Sequence, residues 1–262
     1  MKLTEGIVKI VREASRLMLT DHFEIESKSG VENIVTSSDI AVQSFLVKEL
    51  CAYIPGSSVL AEEEGMQESG DVEYLWIIDP IDGTMNYSRG IKESAISVGL
   101  MHSGEMLAGV VYSPAGDELF YAEKGKGAYF NGGRIHVSDR PFKASLICTA
   151  MSTYNKDWAP ECAAVINDVY YKINDFRRFG TASLEICYLA MGRVELYFEY
   201  RLQPWDIAAG SIILSEAGGV LRGLHGAPLT FRRQELTIGA NSEENFALLS
   251  EIVSHHIPAV RY

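Results

Sequence analysis

Residues 74–84 read Tyr-Leu-Trp-Ile-Ile-Asp-Pro-Ile-Asp-Gly-Thr, an apolar run followed by two carboxylates, a glycine and a threonine. The apolar part, residues 74–78, predicts a buried strand. We expect that strand to end at Asp79, because Pro80 removes a backbone donor and forces a turn. The sequence therefore predicts that acidic side chains are presented where a rigid strand gives way to a loop.

The second half of this stretch combines two kinds of ligand. Asp79 and Asp82 are three residues apart, so across a turn both carboxylates can face one cation. Gly83 permits unusual backbone angles, and the amides of Gly83 and Thr84 would open the next turn or helix as an anion site. Carboxylate oxygens suit Mg²⁺, which also binds substrate phosphate. An Asx-type turn with incidental acids is the alternative.

Two further acidic positions lie at the boundaries of predicted elements. Glu62, Glu63 and Glu64 follow a short strand at residues 58–61, and at least one of them can point toward the sheet edge of Asp79; a solvated charge run is the alternative. Asp206 begins a predicted helix whose small residues at 208–211 allow close packing. For Asp206 the alternative is a plain helix N-cap.

The rest of the chain alternates between helical and strand patterns. Apolar residues at helical spacing predict an N-terminal amphipathic helix, and residues 24–38 predict a loop or hairpin. A helix at 39–50 would be capped by Ser38 or Asp39. The pattern over 95–139 predicts several strands, with a hairpin turn at Asn131-Gly132. After that, the predicted strands are at 146–150, 176–179 (a strand edge) and 194–200. The predicted helices that alternate with them are at 160–171, 183–191 and 206–217.

Composition excludes several classes of protein. The chain has 262 residues, 47% of them hydrophobic, which is ample for a sizeable core. Its net charge of −12 disfavours nucleic-acid binding through a basic surface, although recruited cations would still allow phosphate binding. The four widely spaced cysteines predict reduced thiols. Neither a signal peptide nor an apolar run of transmembrane length is present, so we expect a cytoplasmic protein without a membrane partner.

Several motifs occur in the order found in one known family. Two stretches resemble the two signatures of the inositol monophosphatase family. The first is residues 76–86, from Trp76 to Asn86. The second is Trp-Asp-Ile-Ala-Ala-Gly at 205–210, followed by Glu-Ala-Gly-Gly at 216–219. Ala-Glu-Glu at 61–63 and Val-Thr-Ser-Ser-Asp at 35–39 resemble its upstream motifs. The match runs from about residue 5 to residue 245. Each motif alone is moderately specific, and together in order they are strongly specific.

The resemblance implies a fold, a cofactor and an assembly. The expected fold is mixed α/β, the layered αβαβα sandwich of the sugar phosphatase superfamily. We expect a single domain over residues 1–262 with two lobes: about 1–140 with the metal and phosphate motifs, and 141–262 with the second sheet, Asp206 and substrate contacts. The family also implies two or three Mg²⁺ per site, inhibition by lithium and a homodimer.

The resemblance also implies a role for each site residue. The metal ligands would be Glu62, Asp79, the carbonyl of Ile81, Asp82 and Asp206. Thr84 would pair with Asp39, and with Glu62 this pair would activate the attacking water. The amides of Gly83 and Thr84 would hold the phosphate. The substrate contacts would be Asp82, Gly180, Thr181, Ala182, Glu199 and Asp206.

The expected activity is hydrolysis of a small phosphate monoester, with inositol monophosphate first. Fructose-1,6-bisphosphate and 3′-phosphoadenosine 5′-phosphate are the rival substrates, and a non-catalytic regulatory protein on the same fold is the rival class. Two departures from the family put the substrate in doubt: Gln203 stands where some members carry His, and residues 88–93 lack the usual His-Gly-x-Pro run. The short segment between Glu64 and Trp76 argues against the nucleotide-phosphatase branch.

Three other signals are weaker. Lys-Gly-Lys-Gly-Ala at 124–128 faintly resembles a phosphate loop but lacks the spacing of one, so we interpret it as a hairpin turn. His255 and His256 are interpreted as a solvated tail. Lys28 approaches the metal site in the family, and a plain surface lysine is an equal alternative.

Overall fold

The computed structural model describes residues 2–19, 23–28, 33–63, 72–151 and 155–257. The helices are α1 (Lys2–Ala14), α2 (Ser37–Tyr53), α3 (Thr84–Ser88), α4 (Ala159–Tyr170), α5 (Ala182–Ala190), α6 (Pro204–Glu216) and α7 (Glu243–His256). The strands are β1 (Ile25–Ser27), β2 (Ile34–Thr36), β3 (Ser58–Ala61), β4 (Tyr74–Asp82), β5 (Ala95–His102), β6 (Glu105–Ser113), β7 (Glu118–Glu123), β8 (Ala128–Phe130), β9 (Gly133–Ile135), β10 (Leu146–Thr149), β11 (Asp175–Arg177), β12 (Leu196–Leu202), β13 (Val220–Arg222) and β14 (Glu235–Ala240).

A seven-stranded sheet forms the first half of the molecule, in the order β3-β4-β5-β6-β7-β8-β9. Its neighbours are antiparallel except for the parallel pair β3 and β4. The amphipathic helix α1 and the helix α2 cover one face, where Val11, Leu46 and Trp76 are fully buried in one cluster. The predicted N-terminal helix and the strands over 95–139 are confirmed, including the turn at Asn131-Gly132.

A five-stranded mixed sheet forms the second half, in the order β11-β10-β12-β14-β13. Helices α5 and α6 lie between the two sheets, and their residues share one core cluster with both. Helices α4 and α7 cover the outer face of the second sheet, where Cys162, Phe198 and Leu249 are buried together. The layers therefore run helix, sheet, helix, sheet, helix, which confirms the predicted αβαβα sandwich. The division into two lobes stays a prediction.

Glycines in the first sheet allow α6 to lie directly on it. A Cβ on Gly109 would lie 2.6 Å from the carbonyl oxygen of Ala209, and a Cβ on Gly99 would lie 3.0 Å from the Cβ of Ala208. The hydroxyl of Ser97 on β5 donates to the carbonyl of Trp205 at 3.1 Å. This close approach brings the start of α6 beside the end of β4.

Several predicted boundaries differ from the structure. The strand expected to end at Asp79 continues to Asp82, because β5 goes on pairing with it across a register shift. Helix α2 is capped by Thr36, not by Ser38 or Asp39. The two C-terminal histidines are not a tail: both lie in the last turn of α7, and His256 Nε2 is 3.1 Å from a carboxylate oxygen of Asp168.

The other predicted helices and strands are confirmed to within two residues at each end, except that α2 ends at Tyr53 rather than at Leu50. The segment at 24–38 contains a hairpin of β1 and β2, the four cysteines are unpaired and three are buried, and the later helices and strands lie where the patterns place them. Among the described residues, no helix combines the length and the apolar character needed to cross a membrane.

Candidate active site

The end of β4 carries the first two acids of the site. Asp79 pairs in register with Ser97 and Asp82 with Ala95, with an irregular stretch of backbone between them. That irregularity breaks the alternation of the strand, so two carboxylates three residues apart reach the same region. The amide of Ile81 donates to Asp79 Oδ1 at 3.0 Å, which orients this side chain. Both aspartates are buried.

Helix α6 supplies the third acid. The helix begins at Pro204, with Gln203 as its N-cap, so Asp206 stands in the first turn rather than at the cap. The alternative of a plain N-cap for Asp206 is therefore contradicted by the structure. The backbone amide of Gln203 donates to Asp206 Oδ2 at 2.7 Å and fixes the carboxylate at the helix start. An acid in this turn is also favoured by the helix dipole.

These three aspartates meet although 124 residues separate Asp82 from Asp206. One carboxylate oxygen from each of Asp79, Asp82 and Asp206 can be chosen such that all lie within 4.8 Å of one another. Burial, and then the negative charges of neighbouring acids, raise the pKa of Asp79 and of Asp206 well above their ordinary values. Burial likewise raises the pKa of Asp82 to about 6. Such a cluster of like charges is stabilised by a cation.

Glu62 and Glu63 lie at the end of β3, while Glu64 falls outside the described residues. Glu62 lines the cavity that contains the three aspartates, and Glu63 is held through its backbone amide by Gln43. Lys28 Nζ lies 2.9 Å from Glu62 Oε1 and 2.6 Å from Glu63 Oε1. Lys28 is thus a cavity residue rather than a plain surface lysine. Burial raises the pKa of Glu63 to about 7, against the opposing effect of Lys28.

A threonine and an aspartate form a pair at the start of α3. The Thr84 hydroxyl lies 3.2 Å from Asp39 Oδ1 and 3.0 Å from the carbonyl oxygen of Ile81, so its single proton can be donated to only one of them at a time. Asp39 is fully buried, and its other oxygen accepts from the amide of Thr36 at 2.8 Å. Burial raises the pKa of Asp39, although the bonds from Thr36 oppose this.

Gly83 joins β4 to α3 in a left-handed conformation, with φ of 85°. A Cβ at this position would lie 2.6 Å from Thr181 Oγ1 and 2.9 Å from the carbonyl oxygen of Glu93. Glycine is required here for both reasons. Gly83 and Thr84 both line the cavity, where their amides were predicted to hold phosphate.

The cavity has a volume of about 590 Å³ and receives the predicted substrate contacts from the second half of the chain. Gly180, Ala182 and Glu199 line it. Thr181 is buried, and its hydroxyl donates to the carbonyl of Glu93 at 2.5 Å, so its side chain is engaged in holding the turn. Burial raises the pKa of Glu199 to about 7, against a hydrogen bond from the Tyr197 hydroxyl at 3.0 Å.

Sequence reasoning gave no role to several residues that shape the site. Ser183 donates to Asp82 Oδ2 through its amide at 2.7 Å and its hydroxyl at 2.5 Å. Asn86 Nδ2 donates to the carbonyl of Phe179 at 2.7 Å, and Arg178 lines the cavity. Ser183 directly follows the predicted substrate contacts Gly180, Thr181 and Ala182, but its contact with Asp82 spans 101 residues and has no local signal.

The glycine-rich run at 124–128 is a turn, as predicted, and it does bind an anion. The amides of Gly125 and Gly127 each donate to a carboxylate oxygen of Glu216 at 2.7 Å. Glu216 is the last residue of α6. The turn therefore holds the end of the helix that carries Asp206, and its binding positions are filled from within the chain.

Comparisons with known proteins agree with this geometry. The model of the inositol monophosphatase family matches residues 1–257. A Thermotoga maritima protein named fructose-1,6-bisphosphatase/inositol-1-monophosphatase is 39% identical over 223 residues, 84% of each chain. The Nus factor SuhB of Vibrio cholerae is 34% identical over 221 residues, 84% of this chain and 80% of that one. The structure of a Thermotoga maritima IMPase superposes with a TM-score of 0.86 at 33% identity, covering 97% of this chain and 98% of that one.

Proposed function

The chain belongs to the inositol monophosphatase family, and on that basis we propose that it hydrolyses small phosphate monoesters with Mg²⁺, inositol monophosphate first among them. The observation that carries this proposal is that carboxylate oxygens of Asp79, Asp82 and Asp206 lie within 4.8 Å of one another in the lining of a cavity large enough for a sugar phosphate. The family is a phosphatase family, so the class of reaction follows from membership, whereas the metal and the substrate are our inference.

The donor set fits a divalent cation with hard oxygen ligands. Two of the three aspartates are buried, and each of the three is oriented by a backbone N–H, from Ile81, Ser183 and Gln203 in turn. Glu62 lines the same cavity, and the Ile81 carbonyl oxygen is available to a cation when the Thr84 hydroxyl, 3.0 Å away, donates to Asp39 instead. We propose that these residues hold two or three Mg²⁺. Bound there, Mg²⁺ would lower the pKa of the attacking water and neutralise charge on the phosphate.

The chain's own residues would then orient the nucleophile. Thr84 can donate a hydrogen bond to Asp39 Oδ1, which leaves a lone pair of the hydroxyl oxygen to accept a hydrogen bond from water. As the water attacks, its proton would pass to the Thr84 oxygen while the Thr84 proton passes to Asp39. Attack by that water forms a new P–O bond while the ester P–O bond breaks, and the departing alkoxide takes a proton from solvent. Glu62 would help to orient the water, and the amides of Gly83 and Thr84 would hold the phosphate oxygens.

The cavity beyond the aspartates favours a leaving group with several hydroxyls. Glu199 lines the cavity as an acceptor, and Gly180 and Ala182 line it too; we call the segment from Gly180 to Ala182 the cavity edge. Arg178 and Gln203 also line the cavity and would suit a second anionic group, as in fructose-1,6-bisphosphate. Thus inositol monophosphate and fructose-1,6-bisphosphate are our first two substrates, ahead of 3′-phosphoadenosine 5′-phosphate.

The test is phosphate release from these three compounds with Mg²⁺, with Mg²⁺ plus lithium, and with EDTA. We expect release that requires Mg²⁺, decreases with lithium and is abolished by Asp79→Asn. Asp139→Asn, which changes an exposed aspartate on a loop, serves as the control and should keep full activity. Undiminished turnover of Asp79→Asn, or release that continues in EDTA, would contradict the metal assignment.

A regulatory role is the second candidate, because one of the similar proteins is named a Nus factor. Against a purely regulatory role, the chain has the complete set of residues proposed for metal binding and water activation, which a structural scaffold does not require. They are Glu62, Asp79, Asp82, Thr84 and Asp206. A dual role is compatible with the fold. If no ester is hydrolysed while Mg²⁺ still raises the melting temperature, the non-catalytic function becomes the better account. The homodimer and the cytoplasmic location stay predictions, and light scattering of the purified protein tests the first.

A further inference from the structure

Glu185, on the first turn of α5, is a buried carboxylate that the proposed reaction does not use. Only 1% of the residue is exposed. Its Oε1 atom accepts from the backbone amides of Phe179 at 2.5 Å and Gly180 at 3.0 Å. Its Oε2 atom is buried and has no hydrogen-bond partner within the described part of the chain. The carboxylate thus serves one purpose visible in the structure, which is to hold the turn before α5.

Keeping an acid at this place is unfavourable for the fold itself. Burial, followed by the negative charge of Glu199, raises the pKa of Glu185 to about 8, and Asp82 adds a further repulsion. An unsatisfied buried oxygen adds another unfavourable contribution. Polar groups retained against the stability of the folded state are typical of functional sites, where they maintain a required geometry.

The turn held by Glu185 connects the metal ligands to the cavity edge. Gly180 has φ of 79°, and both Gly180 and Ala182 line the cavity. Asn86 also fixes this segment, because its side-chain amide donates to the carbonyl of Phe179. The segment continues directly into Ser183, whose backbone amide donates to Asp82. Displacement of the turn would therefore move the cavity edge while leaving Asp79 and Asp206 in place.

We propose that Glu185 is a positioning residue, which fixes the backbone of Phe179 and Gly180 so that the edge from Gly180 to Ala182 can bind the leaving group of the substrate. The statement about the leaving group rests on the proposed phosphatase function, while the anchoring of the turn does not. Glu185 itself does not line the cavity and so is not assigned a contact with substrate.

Three substitutions separate anchoring from charge. Glu185→Gln keeps an acceptor oxygen for both amides and removes the charge. Glu185→Asp keeps the charge but is one methylene shorter, and Glu185→Ala removes the acceptor altogether. Glu195→Ala is the control: Glu195 is equally buried and accepts from the amide of Leu146 at 2.8 Å, as well as from Ser138 and Arg140. Unlike Phe179 and Gly180, Leu146 does not line the cavity.

The measurements are hydrogen exchange of the Phe179 and Gly180 amides, KM and kcat for the preferred ester, and the inhibition constant of inorganic phosphate. In Glu185→Asp and Glu185→Ala we expect the two amides to exchange at least tenfold faster than in the natural protein and KM to rise about tenfold. The inhibition constant of inorganic phosphate should stay within twofold of its value in the natural protein. Glu185→Gln should restore both exchange and KM to within about twofold, and Glu195→Ala should leave both unchanged.

Unchanged exchange in the Asp and Ala variants would overturn the anchoring. An equal rise of KM and of the phosphate constant would overturn the specific effect on the leaving group, because it would mean general damage to the metal centre. If the natural protein releases no phosphate from any ester, the proposed function fails, while the exchange measurement still decides whether Glu185 holds the turn.

Discussion

Replacing Asp82 by Asn should make the metal-free protein more stable while removing its response to Mg²⁺. Asp82 is buried among acids, and burial raises its pKa to about 6, roughly two units above the ordinary value of an aspartate. Asn keeps the shape of the side chain, and its carbonyl oxygen can still accept from Ser183. The substitution therefore removes a repulsive charge with little change in packing.

The size and pH dependence of the effect follow from the pKa. A pKa that is raised in the folded state means that folding binds a proton, so stability decreases as pH rises through the range between the unfolded and folded values. Each unit corresponds to about 1.4 kcal/mol, so ionisation of Asp82 costs the folded state roughly 3 kcal/mol above pH 7. In EDTA we expect the free energy of unfolding of D82N to exceed that of the natural protein by roughly 1–3 kcal/mol at pH 8, and by almost nothing near pH 3, which is below both pKa values.

The assay is urea unfolding at several pH values in EDTA, followed by thermal unfolding with increasing Mg²⁺. Saturating Mg²⁺ should stabilise the natural protein, by about 2.7 kcal/mol at one hundred times its Kd, and should leave D82N nearly unchanged. The exposed control D139N should behave like the natural protein in both measurements. A D82N variant that is less stable at pH 8 in EDTA would refute the electrostatic reasoning, and one that keeps the full Mg²⁺ response would refute the ligand role.

Three other substitutions test the neighbouring contacts. Thr84→Val keeps the volume of the side chain but removes the hydroxyl beside Asp39. We expect kcat to decrease roughly 10²–10⁴-fold while Mg²⁺ still stabilises the protein. A smaller decrease in kcat would exclude the Thr84–Asp39 pair from proton transfer. Gly83→Ala should destabilise the protein by about 1–3 kcal/mol and lower kcat/KM at least tenfold. The reason is that φ is 85° at this position and the new Cβ would lie 2.6 Å from the Thr181 hydroxyl oxygen. A normal melting temperature and normal kinetics would disprove the strain. Glu216→Gln weakens the hydrogen bonds from the amides of the turn at 125–127. We expect the free energy of unfolding to decrease by roughly 1–2 kcal/mol and kcat/KM to stay within twofold of the natural value. A larger change in kcat/KM would mean that this turn positions the start of α6.

Most of the individual helices and strands could be predicted because each depends on local periodicity, whereas the layered αβαβα arrangement was implied by the family resemblance. The helical spacing in α1 and the short strands of the first sheet need no knowledge of distant contacts. The end of β4 could not be predicted in this way. Pro80 locally favours a turn, but the pairing of Asp82 with Ala95 on β5 extends the strand beyond it. Tertiary pairing therefore overrode a local preference, at the place where the active site is built.

The candidate site was predictable only to the extent that each residue stands in a motif. Asp79 and Asp82 could be placed together from spacing, whereas their meeting with Asp206 depended on the family resemblance. The anchors were not predictable from either source. Ser183 and Glu185 act on partners that are set by how α5 lies between the two sheets, and a buried acid at helical spacing gives no sign of which amides it accepts from. The residues that hold the reacting groups in place therefore require the fold, since their chemistry resides in contacts rather than in sequence pattern.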